Sequence, residues 1–350
     1  MFLVVNHVDR GVSTMVLSVS ENKYCALKRL SNSENVIAAL AIDQRGSLKK
    51  MLTTKSGKPA TTDDVINFKK AISEELTPYA SSILLDPEYG LPAAELRDSE
   101  AGLLVAYEKT GYDTTEPGRF PDLLSQWSVK RLKEVGADAV KFMLYYDVDE
   151  SQTINEHKQA FVERVGAEAA ANDLPFFLEL VSYDGGMDSV KSAEYAKVKP
   201  HKVIDMVKEF SKPEYGVTIL KVEVPVNMAF VEGYTADGEQ PVYTQAEASA
   251  YFKAESDATD LPFIFLSAGV TNKMFLSELK FAKQAGCEFN GVLCGRATWK
   301  PSTDLFANEG EAAGRKWLST EGKANIERLN DVLAETATPW TNKVAVTQYI

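Results

Sequence analysis

VTILKVEVP, residues 217–225, has the composition of a buried strand but carries a lysine near its centre. Apolar or β-branched residues lie on both sides of Lys221, and Pro225 closes the run. A half-exposed strand alternates apolar and polar residues, whereas a strand covered on both faces is apolar almost throughout, as in a parallel sheet. The ammonium group of Lys221 therefore needs an explanation, either a chemical role or a buried partner.

Seven further short apolar runs occur along the chain, and amphipathic segments separate most of them. With residues 217–225, the predicted strands are residues 36–43, 81–87, 102–108, 137–146, 175–183, 261–269 and 289–297. The predicted helices are residues 61–76, 121–136, 154–173 and 271–286, a short piece at 92–100, an eighth helix from about residue 303 and a last segment at 324–338. Eight strand–helix repeats without a GxGxxG loop after the first strand predict an α/β protein, a single-domain (β/α)8 TIM barrel.

Amino-acid composition and net charge argue against a nucleic-acid-binding protein, a membrane protein and a disulfide-rich protein. The hydrophobic fraction of 45% and the net charge of −12 predict a globular protein that does not bind nucleic acid, because phosphate neutralisation takes clustered basic residues. No apolar run is long enough to cross a membrane. Cys25, Cys287 and Cys294 form neither a disulfide framework nor a CxxC motif, so a reducing, cytoplasmic compartment is expected.

The first residues look different from the rest. Met15 opens a second start-like run, so we expect residues 1–23 to be an N-terminal extension and residues 24–350 to form the barrel catalytic domain. An upstream start codon is an alternative origin for residues 1–14. The sequence leaves the choice between a monomer and a homodimer open.

Polar residues late in the predicted strands mark the expected site, because chemistry in such barrels lies at the C-terminal ends of the strands. The polar residues at these ends are Asp43, Gln44, Arg45, Asp86, Glu88, Glu108, Lys141, Glu179, Lys221, Glu223, Ser267, Gly295 and Arg296. Alternation with a period of two places Ile219, Lys221 and Glu223 on one face of their strand. The same rule predicts that Lys141, Glu179 and Lys221 project from three neighbouring strands into one pocket.

A lysine in such a pocket is a candidate nucleophile. Burial and a nearby cation both lower the pKa of an amine, and the neutral amine can condense with a carbonyl to give a Schiff base. Glu179 is then placed as the general acid and base, and Lys141 as the nearby cation. The alternative is a purely structural ion pair inside the packed barrel.

The loops after the seventh and eighth strands carry a second signal. Ser267 and Gly269 lie in the first loop, and Gly295 and Arg296 in the second. These loops often bind phosphate in (β/α)8 barrels through backbone N–H groups and a cation. The three histidines, His7, His157 and His201, lie away from the strand ends, so we expect a metal-free reaction without a cofactor, although the carboxylates leave Mg²⁺ as an alternative.

The motifs AIDQRGSLKKML, FFLELVSY, TILKVEVPVN, FLSAGV and LCGRATWK resemble those of the class I tagatose 1,6-bisphosphate aldolases of bacterial lactose and galactose catabolism. The resemblance runs from about residue 24 to the C-terminus. It implies a lyase that cleaves D-tagatose 1,6-bisphosphate into dihydroxyacetone phosphate and D-glyceraldehyde 3-phosphate, with tolerance of C-4 epimers such as fructose 1,6-bisphosphate. It also implies Lys221 as the Schiff-base lysine and Glu179 as the catalytic glutamate. The implied substrate contacts are Asp43, Gln44, Arg45, Lys141, Ser267 and Arg296.

Two other functions stay open at this point. One is a Schiff-base lyase for a related ketose, such as a sulfonated ketose phosphate. The other is a barrel reused as a sugar-phosphate-sensing regulator, which nothing in the sequence favours.

Overall fold

The computed structural model describes residues 16–113, 115–236 and 238–347. Eight parallel strands form a closed barrel in which each strand pairs with the next along the chain and the last pairs with the first. The barrel strands are β2 (Ile37–Ala41), β3 (Ser82–Leu85), β4 (Gly102–Ala106), β5 (Ala139–Tyr146), β6 (Phe176–Ser182), β7 (Ile219–Val222), β8 (Phe263–Leu266) and β9 (Gly291–Cys294). Each of the eight predicted strands contains one of them, and the predicted fold class is confirmed.

Helices cover the outside of the barrel. In chain order they are α1 (Glu21–Arg29), α2 (Gly46–Met51), α3 (Thr62–Leu76), α4 (Leu91–Ala94), α5 (Val129–Glu134), α6 (Gln152–Ala171), α7 (Ala193–Phe210), α8 (Gln245–Asp257), α9 (Asn272–Gln284), α10 (Arg296–Trp299), α11 (Pro301–Glu309), α12 (Glu311–Trp317) and α13 (Lys323–Thr336). A capping box between Thr61 and Asp64 fixes the start of α3, because each residue satisfies a backbone N–H that the helix leaves unpaired. In the described part of the chain, none of these helices combines the length and the hydropathy that a membrane crossing needs.

The helix predicted at residues 121–136 is wrong in its first half. Residues 122–124 instead pair antiparallel with residues 107–109, which follow β4. Leu124 N–H donates to the Tyr107 carbonyl and Lys109 N–H to the Asp122 carbonyl. Helix α5 begins only after Ser128, whose hydroxyl accepts a hydrogen bond from Arg131 N–H. Ser128 is the better N-cap because its side chain satisfies a free donor of the first turn.

The N-terminal end of the barrel is closed by the two ends of the described chain. Strand β1 (Leu17–Val19) pairs in parallel with β10 (Val344–Val346), and α1 packs Leu27 and Leu30 under the barrel beside Trp340. Residues 1–14 of the predicted extension lie outside the described residues, and the boundary at residue 23 stays a prediction. Helices occupy most of residues 296–336, so the helical part of the C-terminal segment begins earlier than the expected start near residue 303.

The core has two parts that the strand alternation separates. One lies between strands and helices, and the other fills the barrel interior with residues such as Ala39, Leu104, Phe177 and Ile219. Successive residues of a strand point to opposite faces, so each inward apolar residue is followed two positions later by another inward side chain. The apolar layer in the barrel interior therefore lies directly below the next inward side chains, toward the C-terminal ends of the strands.

Candidate active site

Charged side chains form the layer directly above the apolar interior. Each lies two residues after an interior residue of the same strand, in the pairs Ala41–Asp43, Leu84–Asp86, Ala106–Glu108, Ala139–Lys141, Phe177–Glu179 and Ile219–Lys221. The apolar layer below and the helices around the barrel exclude water from this layer. Ion pairs therefore act here at a lower dielectric than at the surface.

Lys141 lies at the centre of this layer. Its Nζ is 2.8 Å from Asp43 Oδ2, 2.6 Å from Glu108 Oε1 and 2.5 Å from Glu179 Oε2. Burial alone would lower the pKa of Lys141, but these three carboxylates raise the pKa well above its ordinary value. Lys141 is therefore a fixed ammonium that occupies the space between the carboxylates.

Glu179 connects Lys141 to Lys221. Glu179 and Lys221 are directly opposed on β6 and β7, and Lys221 Nζ lies 2.8 Å from Glu179 Oε1. Burial works against ionisation of Glu179, yet the two lysines outweigh it and hold the pKa of the carboxyl below its usual value. The structure thus brings the three predicted side chains into contact, with an ionised carboxylate between two amines.

Glu108 joins the site although the sequence marked it only as a polar residue at a strand end. It is 2% exposed, and its Oε2 accepts a hydrogen bond from Met143 N–H. Burial raises the pKa of Glu108 despite Lys141, and the negative charge of Asp43 adds to the effect. The pKa of Asp43 is lowered instead, because Lys141 and Lys221 outweigh the effect of burial. The alternation that identified Lys141 also identifies Glu108, two residues after the interior Ala106.

Lys69 of α3 is a supporting residue that the sequence reading missed. Its fully buried ammonium donates to the carbonyls of Ile42 and Gln44 at 2.5 and 2.9 Å and pairs with the carboxylate of Asp86. These contacts fix the turn that follows β2 and carries Asp43. No pattern on α3 distinguishes Lys69 from the other charged residues of an amphipathic helix.

Arg45 and Gln44 follow Asp43, and the structure gives them different surroundings. Arg45 is buried and donates to Glu88 Oε2 at 2.8 Å and to the Glu108 carbonyl at 2.7 Å, so it links the ends of β3 and β4. Gln44 extends toward Gly295, where a Cβ would lie 3.7 Å from its Nε2. A contact between Arg45 and the substrate stays a prediction. To make it, Arg45 would have to leave Glu88 and the Glu108 carbonyl.

The loops after β8 and β9 meet at the mouth of the barrel. Gly269 has a φ of +78° and lies against the guanidinium of Arg296, where an added Cβ would be 3.0 Å from Nη2. Gly295 immediately precedes α10, and Ser267 is 5% exposed beside Cys294. The residues predicted to bind phosphate thus lie together on one side of the barrel mouth. Arg296, the first residue of the short helix α10, is exposed there.

Glu223 does not share the pocket of Lys221, so the prediction that Glu223 lies on the same strand face as Lys221 is wrong. Strand β7 ends at Val222, and Glu223 accepts hydrogen bonds from the N–H and the hydroxyl of Ser182. Its other oxygen is 3.9 Å from Lys199 of α7, on the outer side of the barrel. Alternation holds only while the chain stays extended in the sheet.

The described histidines, His157 and His201, have partners outside the Lys141–Glu179–Lys221 cluster. His157 packs on Phe120, His201 pairs with Asp149 and Asp205 at the surface, and His7 lies outside the described residues. In the parts of the chain that the structure describes, no three His, Cys, Asp or Glu side chains are arranged to hold a metal ion.

Comparisons with known proteins place this geometry in a family. The family model for DeoC/LacD family aldolases matches residues 37–301. The tagatose 1,6-diphosphate aldolase 2 of Enterococcus faecalis is 60% identical over 95% of this chain and 100% of its own length. The tagatose 1,6-diphosphate aldolase of Lactococcus lactis is 55% identical over 93% of this chain and 99% of its own.

Solved structures of low sequence identity share the fold. Fructose-bisphosphate aldolase from Plasmodium falciparum superimposes with a TM-score of 0.64 at 17% identity, covering 90% of this chain and 97% of the other. An archaeal fructose 1,6-bisphosphate aldolase gives 0.54 at 16% identity, over 88% and 99% of the two chains. Because the family model spans the barrel from β2 to the start of α11 and the relatives match over nearly their full lengths, this chain belongs to the DeoC/LacD family of aldolases.

Proposed function

We propose that this aldolase cleaves D-tagatose 1,6-bisphosphate into dihydroxyacetone phosphate and D-glyceraldehyde 3-phosphate through a Schiff base on Lys221. The observation that carries the proposal is the contact chain Lys221–Glu179–Lys141 on three neighbouring strands. Relatives at 55–60% identity are named tagatose 1,6-diphosphate aldolases, which supports this choice of substrate.

The first step is condensation of the Lys221 amine with the C2 ketone. A proton passes from Nζ to Glu179 Oε1 across their 2.8 Å contact, and the free amine attacks the carbonyl carbon. Glu179 returns a proton to the carbinolamine hydroxyl, which leaves as water and yields the protonated imine.

The second step breaks the bond between C3 and C4. Glu179 accepts the proton of the C4 hydroxyl, the aldehyde leaves, and the bonding electrons pass into the protonated imine to give an enamine. Protonation of the enamine at C3 and hydrolysis of the imine then release dihydroxyacetone phosphate and restore Lys221. The ammonium of Lys141, which is ion-paired with three carboxylates, stabilises negative charge that develops on the substrate oxygens.

One phosphate of the substrate binds at the loops after β8 and β9 in this proposal. Arg296 supplies the cation, and Ser267, Gly269 and Gly295 supply hydroxyl and backbone donors. Asp43 and Gln44 contact the sugar hydroxyls near Lys141. Fructose 1,6-bisphosphate differs only at C4, so we propose that it is also a substrate.

The proposed setting is the cytoplasm, and the proposed assembly is a homodimer without nucleic-acid or membrane partners. Three free cysteines in the described chain are consistent with a reducing compartment. Analytical ultracentrifugation of the purified protein tests the assembly, and a purely monomeric species would reject the dimer.

A coupled cleavage assay tests the function directly. We expect release of both triose phosphates from tagatose 1,6-bisphosphate and from fructose 1,6-bisphosphate, at rates that EDTA does not change because Lys221 rather than a metal acts as the electron sink. Sulfonated ketose phosphate serves as the competing substrate. A higher kcat/KM for that substrate, or loss of activity in EDTA, contradicts the proposal.

A further inference from the structure

An arginine stands at the mouth of the barrel on the side opposite the β8–β9 loops. Strand order places β4 and β5 across the barrel from β8 and β9. The long loop between β4 and α5 carries Arg119 to this position, and the arginine is half-buried there. Arg119 takes no part in the steps proposed for Lys221, Glu179 and Lys141.

Three tyrosine rings hold the guanidinium of Arg119. It lies 4.2 Å from the ring centroid of Tyr183, 5.1 Å from that of Tyr112 and 5.6 Å from that of Tyr145. Rings of this kind attract a guanidinium through their negative faces and restrict its rotation, while its N–H donors at the edge stay available. The arginine is therefore pre-positioned without being neutralised by the rings.

The backbone at this point is strained. Arg119 has a φ of +48° and follows Gly118 with a φ of +103°. A Cβ at Gly118 would lie 3.0 Å from Ile154 Cγ2, so the positive φ and the tight contact with α6 both favour glycine here. The left-handed conformation costs a non-glycine residue roughly 1–2 kcal/mol, and such strain persists where the surroundings fix a functional geometry.

A solvent-open cavity of about 240 Å³ lies beside Arg119. Three acidic residues line its wall. Glu150 lies 3.1 Å from the hydroxyl of Tyr183, Asp184 lies 3.0 Å from Lys202, and Glu116 is exposed. Among the residues that the structure describes, no carboxylate lies within 4.0 Å of the Arg119 guanidinium nitrogens. The cavity thus offers a fixed cation to an anion that enters from solvent.

Tyr145 relates this cavity to the reacting groups. It is the next inward residue of β5 after Met143, and Met143 is directly opposite Glu179. Consecutive inward residues of a strand are about 6.6 Å apart, so Tyr145 lies one layer above Glu179. The Arg119 guanidinium lies 5.6 Å from the ring centroid of Tyr145, on the side of the barrel away from the β8–β9 loops.

We propose that Arg119 binds the phosphate of the aldehyde half of the substrate, so that the sugar bisphosphate spans the mouth of the barrel. This inference rests on the proposed function and names a residue for its second phosphate. A phosphate monoester accepts two parallel hydrogen bonds from one guanidinium, which lysine cannot supply.

The reverse reaction tests the inference, because the aldehyde can be offered with or without its phosphate. Condensation of dihydroxyacetone phosphate is measured with D-glyceraldehyde 3-phosphate and with D-glyceraldehyde, for the parent protein, Arg119→Met and Arg119→Lys. Arg164→Met, which changes an exposed arginine of α6, is the matched control. We expect Arg119→Met to raise KM for the phosphorylated aldehyde by about 10- to 100-fold and to leave kcat/KM for D-glyceraldehyde unchanged.

The remaining outcomes separate the two proposals. An intermediate KM for Arg119→Lys and parent-like behaviour of Arg164→Met support the phosphate contact. If Arg119→Met keeps the parental preference for the phosphorylated aldehyde, or loses both activities equally, the inference is wrong while the aldolase function stands. If the parent protein condenses neither aldehyde, the proposed function itself fails.

Discussion

Replacing Lys141 by methionine removes the charge that holds the site together. The three carboxylates around it, Asp43, Glu108 and Glu179, would remain buried without their common cation. At an effective dielectric constant of 20, each contact near 2.7 Å contributes about 6 kcal/mol of gross attraction, which the desolvation of the ions partly offsets. Truncating one partner of a buried ion pair costs about 3–5 kcal/mol, and we expect the upper end for Lys141→Met because three carboxylates lose their partner.

The pH dependence of this loss has a definite sign. Without Lys141 the pKa values of the three carboxyls rise relative to the parent protein, because a cation that lowers each of them is gone. Folding of the variant then binds more protons than folding of the parent, so the variant loses stability relative to the parent as the pH rises. The gap between parent and variant should therefore be smaller at pH 5 than at pH 8.

Urea unfolding monitored by circular dichroism at these two pH values measures the effect. Lys253→Met is the matched control, because its exposed partner Asp257 on α8 makes that pair worth about 0.5 kcal/mol at most. A destabilisation by Lys141→Met that is no larger than that of the control, or a gap that does not change with pH, would refute the reasoning about this charge cluster.

Two other substitutions probe single groups. Glu179→Gln should lower kcat by about 10²- to 10⁴-fold, because the amide cannot transfer protons. Stopped-flow cleavage assays measure the loss. A decrease of kcat smaller than tenfold would show that Glu179 is not the general acid and base. Burial raises the pKa of Glu278 on α9 from 4.5 to about 7, so the parent protein loses stability as the pH rises through this range, by about 3 kcal/mol in total. Above pH 7 Glu278→Gln should be more stable than the parent by that amount, and below pH 4.5 the two proteins should be equally stable. Glu335→Gln, which changes an exposed residue, is the control. Parallel curves of stability against pH for Glu278→Gln and the parent would contradict this prediction.

The sequence predicted those features that depend on short-range patterns. The barrel strands are apolar because helices and interior both cover them, and this made all eight visible. The period of two in these strands predicts from the sequence alone that Lys141, Glu179 and Lys221 are neighbours. Glu108 obeys the same rule, but the sequence offered no chemical role that would add it to the predicted pocket of Lys141, Glu179 and Lys221.

Features that depend on tertiary contacts could not be predicted in this way. Lys69 reaches the site only because α3 packs across the end of β2. The position of Arg119 follows from a long irregular loop and a left-handed backbone, for which the sequence offers only the Gly118 signal. The helix predicted at residues 121–128 is absent because helical periodicity there competes with antiparallel pairing to residues 107–109, and the pairing prevails.

The most direct test of the account is covalent trapping at Lys221. Borohydride added with dihydroxyacetone phosphate reduces the imine to a stable secondary amine, and peptide mass spectrometry locates the modified lysine. We expect one adduct, on Lys221, which is lost in Lys221→Arg and retained in Lys253→Met. An adduct on Lys141 or on any other lysine, or the lack of an adduct on a protein that cleaves the substrate, would contradict the central claim.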